Sequence, residues 1–411
     1  MKGDRESLRA GRVNGRRKDL ARGPVEGPAK RPKRRRALLV VPVLLGLLAG
    51  CAQDPGGADP DTRQGAAQDQ GRGTSPKPPA ASAPAPGTPT PAGTLLVADF
   101  GGDTVTFMDP ERGPFASVEV GTAPYGLTVG ADGRAWVATA EGVAVVDTRT
   151  RESLGRIPYR TETGPVTDGE YRGGGMGIAL APDGKRLYIG VNVPGGAGVL
   201  EVVDTASRRV VDTVPVGRRP FDVDVSRDGR EVYATNHDSF DVTAVRTDGL
   251  DARRFEVAPY GTEGGLGSWL KPHYAAVRED GRLLLPFEGE RLAVLDPRTG
   301  RVTIERMTAD THQHGAALTP DGTLLAVGTG PIGSAEGDAS LTIRAKDGRE
   351  RVVPLEGPHE DVAVSRDGRT AYVTGGFTRD GYWDGITVVG LADGDTRRLP
   401  GGSRPLGIAV L

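Results

Sequence analysis

Residues 221–245 contain Phe221-Asp222-Val223-Asp224-Val225, a turn at Asp228-Gly229, then Glu231-Val232-Tyr233-Ala234-Thr235 and Asp241-Val242-Thr243-Ala244-Val245. Apolar and polar residues alternate in each run, as in a half-buried strand. Alternation on both sides of a short Gly turn is a hairpin signal. The stretch therefore predicts three antiparallel strands in sequence.

The same pattern recurs outward in both directions. Asp-Gly turns stand at 132–133, 183–184, 228–229, 280–281, 321–322 and 367–368, with spacings of 51, 45, 52, 41 and 46. A period of 40–50 residues carrying four short strands predicts a propeller blade. Six turns give six full units. Pro405-Leu406-Gly407-Ile408-Ala409-Val410 reads as a first strand with nothing after it, and Thr94-Leu95-Leu96-Val97-Ala98 as a second strand with no first. Joined, they complete a seventh blade and hide two sheet edges. The expectation is an all-β domain over 94–411, a seven-bladed β-propeller with four-stranded antiparallel blades.

The first 93 residues differ in kind. Residues 1–36 hold fourteen Lys/Arg against four Asp/Glu, and Ala37 to Gly50 is apolar apart from Pro42 and Gly46. That run is too short for an ordinary membrane-spanning helix and fits a signal-peptide core behind a basic n-region. It ends in Leu48-Ala49-Gly50-Cys51, which resembles a bacterial lipobox and uses the one cysteine of the chain. The resemblance implies lipidation of Cys51 and anchoring on the extracytoplasmic side of the cell membrane. The alternative is an uncleaved anchor, and Sec and Tat export both stay open. Residues 52–93 are rich in Pro, Ala, Gly, Ser and Thr and read as a disordered spacer. A lone Cys excludes an intramolecular disulfide, and c-type haem has no motif here, which weakens a redox role. The formal net charge is −2 despite the basic leader, so the rest is acidic and general nucleic-acid binding is not expected. The domain is read as a monomer.

Within the repeat, Tyr233-Ala234-Thr235-Asn236 and Tyr372-Val373-Thr374-Gly375 resemble the YVTN repeat. So do Val202-Val203-Asp204-Thr205, Val214-Pro215-Val216-Gly217 and Ala181-Pro182-Asp183-Gly184-Lys185. The resemblance implies the propeller fold over 94–411 and no shared reaction.

Long insertions, 159–174, 259–271, 328–339 and 375–385, all fall on one face, where function usually sits. Trp269, Tyr382 and Trp383 lie in them and suit binding of a protein, peptide or glycan, or else pack the loops down. Counting back eight residues from each turn Gly gives one ring around the channel: Tyr125, Met176, Phe221, His273, His314 and Glu360, closed by Leu406. His312 and His359 lie close by in sequence, and His237 sits in a second-to-third-strand loop. Tyr125, Met176 and Phe221 are the expected pocket wall. His273, His312, His314, His359 and Glu360 are candidate ligands for Zn²⁺ or Cu²⁺, or an acid–base group. The plainer alternative is polar lining of a wet channel. Two functions follow: a binding scaffold working through the loop-rich face, or a metal-dependent hydrolase, lactonase or lyase at the channel mouth.

Overall fold

The computed structural model describes residues 90–258, 271–333, 335–376 and 382–411. Seven four-stranded antiparallel sheets form a closed ring, a seven-bladed β-propeller. The innermost strands, in ring order, are Pro405–Val410, Leu127–Val129, Gly174–Leu180, Pro220–Val225, Ala276–Val277, Gln313–Leu318 and Val362–Val364. The blades are numbered 1 to 7 in that order. The Cys51 lipidation, the leader and the spacer to residue 89 lie outside the described residues, as do Trp269 and the rest of 259–270. Among the described residues no helix is long and apolar enough to cross a membrane.

Each Asp-Gly hairpin works by the chemistry its residues suggest. The six Gly residues hold φ between 69° and 84°, the left-handed region that costs glycine nothing. Each Asp carboxylate accepts the backbone N–H two residues on, for example from Arg134 to Asp132 at 3.0 Å and from Thr323 to Asp321 at 3.1 Å. The turn is thus specified locally.

Blade 1 joins the two ends of the domain. Leu95 pairs with Val410, Leu96 with Ala409 and Val97 with Ile408. The ring closes with backbone hydrogen bonds in place of two open edges.

Packing runs between blades. Leu96, Ala98, Val105 and Phe107 of blade 1 meet Ala135, Val137, Ala144 and Val146 of blade 2, all buried. Both faces of the middle strands are covered, so Leu95–Asp99 is buried at every position. A fully buried Leu or Phe contributes about 1.5–3 kcal/mol, so each blade interface is a substantial store of stability. Inner strands approach closely where the ring residue is followed by Gly. A Cβ on Gly407 would lie 2.4 Å from the Tyr125 carbonyl oxygen. Where Asp takes that place it bonds to the next blade instead: Asp222 Oδ2 accepts the Ala275 N–H at 2.9 Å.

Candidate metal centre

The site lies where the inner strands begin. Phe221, His314 and Leu406 are the second residues of their strands, while Tyr125, His273, Tyr274 and Glu360 precede theirs by two or three residues. Tyr125, Met176, Phe221, Tyr274 and Leu406 form one buried apolar cluster with Phe100 and Ala123. It fills one side of the channel mouth. The other side is polar.

There His273, His312 and His314 converge, each offering a ring nitrogen within 4.8 Å of the others. The His273 and His314 rings stack at 3.8 Å between centroids, and His312 lies 5.0 Å from each. Residues two apart in a strand face the same way, which brings His312 and His314 to one side. Gln313 between them turns away, and its amide donates to the Gly289 and Ala309 carbonyls at 3.4 Å. All three histidines are buried. Burial, then the neighbouring His314, His237 and His312, push the His273 pKa well below the usual imidazole value. His273 is therefore neutral at pH 7, the form a metal ion needs.

Carboxylates back two of these rings. His314 Nδ1 lies 3.1 Å from Glu360 Oε2, and His312 Nδ1 lies 3.4 Å from Glu288 Oε2. The Tyr125 and Tyr274 hydroxyls each donate to Glu360 Oε1 at 3.4 Å. Burial, followed by the charge of Glu170, raises the Glu360 pKa to about 8.

His237 adds a fourth imidazole, 4.6 Å from His273 and stacked on Phe221 at 5.5 Å. Its Nδ1 meets Asp238 Oδ1 at 2.6 Å. Burial and then the Arg219 charge lower its pKa to about 3. His237, Glu288 and Tyr274 are additions to the residues expected from sequence. A signal existed for two of them, since His237 and Glu288 each follow the second strand of their blade.

His359 does not join the cluster. Its Nδ1 meets the Gly357 carbonyl at 2.8 Å, its Nε2 meets Thr387 Oγ1 at 2.7 Å, and the Trp383 indole points at it from 3.5 Å. His359 and Glu360 are adjacent, and adjacent residues on extended backbone face opposite ways. Glu360 takes the channel side, so the expected His359 ligand is set aside.

The insertion at 159–174 is tied down over the mouth. Glu201 Oε1 accepts N–H bonds from Arg160 at 2.9 Å and Thr161 at 2.7 Å. The buried Arg172 guanidinium donates to the carbonyls of Ala123, Gly173 and Gly175 at 2.7–3.0 Å. Of the loop aromatics that are described, Trp383 is covered by Arg398 at 3.9 Å. Tyr382 stays 46% exposed, with Arg404 at 4.3 Å from its ring.

No family model matches the chain, and no curated protein matches it in sequence. Solved structures do match in shape. Hydrazine synthase of Kuenenia stuttgartiensis aligns at a TM-score of 0.55 and 18% identity, over 78% of this chain and 99% of that one. A periplasmic gluconolactonase of Pseudomonas aeruginosa aligns at 0.54 and 16%, over 77% and 99%. Virginiamycin B lyase of Staphylococcus aureus aligns at 0.53 and 14%, over 70% and 88%. At these identities the likeness shows the fold alone.

Proposed function

We propose that the protein is a metal-dependent hydrolase or lyase of the lactonase type, working at the channel mouth. The observation that carries this reading is the convergence of His273, His312 and His314 from two neighbouring blades. Buried imidazoles, with His273 held neutral, suit Zn²⁺ or Cu²⁺. Glu360 and Glu288 lie 3.1 and 3.4 Å from Nδ1 of His314 and His312, the outer-shell position from which an acid side chain orients a ligating imidazole. Such an ion, when bound, polarises a carbonyl and acidifies water. His237, oriented by Asp238, accepts and passes on a proton. Glu360 sits behind His314 and acts through it, as a positioning residue. That the structural neighbours include a lactonase and a lyase agrees with this reading.

The scaffold reading has less to stand on. Trp383 is engaged with His359 and Arg398, and among the described loop aromatics Tyr171 and Tyr382 stay exposed, each with an arginine over its ring. Display on the outer side of the membrane through a lipid on Cys51, and membership among YVTN propellers, belong to the same proposal. Release of a Cys51→Ser chain from the membrane fraction tests the anchor.

The enzyme reading is tested on the full chain, stripped with chelator and titrated with Zn²⁺, Cu²⁺ and Mg²⁺, then assayed on a panel of lactones and esters. We expect one Zn²⁺ or Cu²⁺ per chain and hydrolysis that chelator abolishes. Absence of stoichiometric binding would return the site to ordinary channel lining.

A further inference from the structure

Arg219 stands beside the histidines in an unusual state. Its side chain is 1% exposed, yet among the described residues Nε and NH1 have no hydrogen-bond partner. Only NH2 is engaged, at 3.3 Å from both the carbonyl and Oε1 of Glu170. The guanidinium lies between two rings, 4.1 Å from Tyr171 and 5.3 Å from Phe221. Ring contacts use the faces of a guanidinium and leave the N–H groups at its edge without acceptors. Buried donors in that state cost stability unless something fills them.

The backbone does not explain the arrangement. Arg219 has φ 54°, but Ala123 and Arg404 hold 49° and 50° at the same place before Pro124 and Pro405. The left-handed kink belongs to the repeat. What is particular to blade 4 is the side chain. It shares the Phe221 ring with the site, since His273 and His314 meet that ring at 5.1 and 6.2 Å. Its charge also contributes to holding His237 and His273 neutral.

We propose that Arg219 is an oxyanion subsite that receives the carboxylate of a small organic acid, substrate or product, whose reacting end lies at the histidines. Guanidinium donors match a carboxylate in charge and planarity. Phosphate is a poorer match, because Glu170 and Asp238 stand close and repel a doubly charged anion more strongly. The inference rests on the metal-centre reading for the position of the reacting end.

The test is calorimetric titration of the full chain with glycolate, against uncharged glycolamide and inorganic phosphate. It is run on the wild type, Arg219→Met, Arg219→Lys and Glu170→Gln, each metal-free and Zn²⁺-loaded. Glycolate should bind the wild type at least tenfold more tightly than Arg219→Met, with Zn²⁺ stoichiometry unchanged. Glu170→Gln, which removes the competing carboxylate, should bind glycolate more tightly than wild type. If Arg219→Met does not fold, Arg219→Lys and Glu170→Gln still decide. Equal glycolate binding in wild type and the Arg219 variants, with Zn²⁺ bound, overturns the subsite and leaves the centre. Arg219-dependent glycolate binding without any Zn²⁺ binding overturns the centre and leaves the subsite. Phosphate binding more tightly than glycolate, or glycolamide matching it, overturns the carboxylate assignment.

Discussion

The rings of His273 and His314 stack 3.8 Å apart with their planes 22° from parallel, although they come from different blades. Two imidazolium ions could not share that spacing. At most one ring of the pair can carry a proton's charge, and His273 is the one held neutral. With His312 completing the group, Zn²⁺ or Cu²⁺ should raise stability by about 2.7 kcal/mol at a hundredfold excess over Kd. His273→Ala or His314→Ala should abolish that rise, while His359→Ala should keep it. Thermal unfolding with and without the ion is the measurement.

His237 and Asp238 form a short 2.6 Å contact beside His273. His237→Asn should lower kcat on a hydrolysed lactone by about 10²–10⁴-fold, the usual size of proton-transfer catalysis, with metal content unchanged. Metal analysis alongside steady-state kinetics checks this. Loss of metal together with activity would make His237 a ligand instead.

Gly407 lets blade 1 lie against blade 2. A Cβ there would meet the Tyr125 carbonyl oxygen at 2.4 Å, and backbone cannot swing aside as a side chain can. Gly407→Ala should cost about 1–3 kcal/mol, as overpacked sites do. Urea unfolding should show a lower midpoint at unchanged slope.

Asp99 ties a pH dependence to the ring closure. It pairs across the junction with Pro405 and accepts the Thr104 and Thr106 hydroxyls on Oδ2 at 2.8 and 2.5 Å. Burial raises its pKa to about 7, against an unfolded value near 3.9. The folded protein holds this proton more tightly than the unfolded chain. The stabilisation is therefore complete below about pH 4 and is lost as pH rises to about 7, by about 4 kcal/mol across the window. Asp99→Asn should flatten this part of the stability–pH curve and be the more stable form at pH 8. Chemical unfolding at pH 5, 6, 7 and 8 reads it.

The repeat was legible because its signals are local. An Asp that caps its own turn and a Gly at positive φ need no distant partner, so Asp228-Gly229 announces its hairpin from sequence alone. Counting back from each turn then finds Tyr125, Met176, Phe221, His273, His314, Glu360 and Leu406, since strand length and turn type fix the register. The seventh blade was legible as two halves lacking each other. Other features needed the fold. The partners that hold His359 away from the channel, the Gly357 carbonyl and the Thr387 hydroxyl, are set by the fold. His237 and Glu288 reach the centre from second-strand exits, by distances only the ring geometry sets. Arg219 reads in sequence as one more linker cation. It becomes a buried group with two unpartnered nitrogens only when the 159–174 insertion lays Tyr171 and Glu170 over it. Turns and register follow from neighbouring residues, and so the sequence determined the propeller. Burial and electrostatics follow from residues brought together across blades, and so the tertiary structure decided the site.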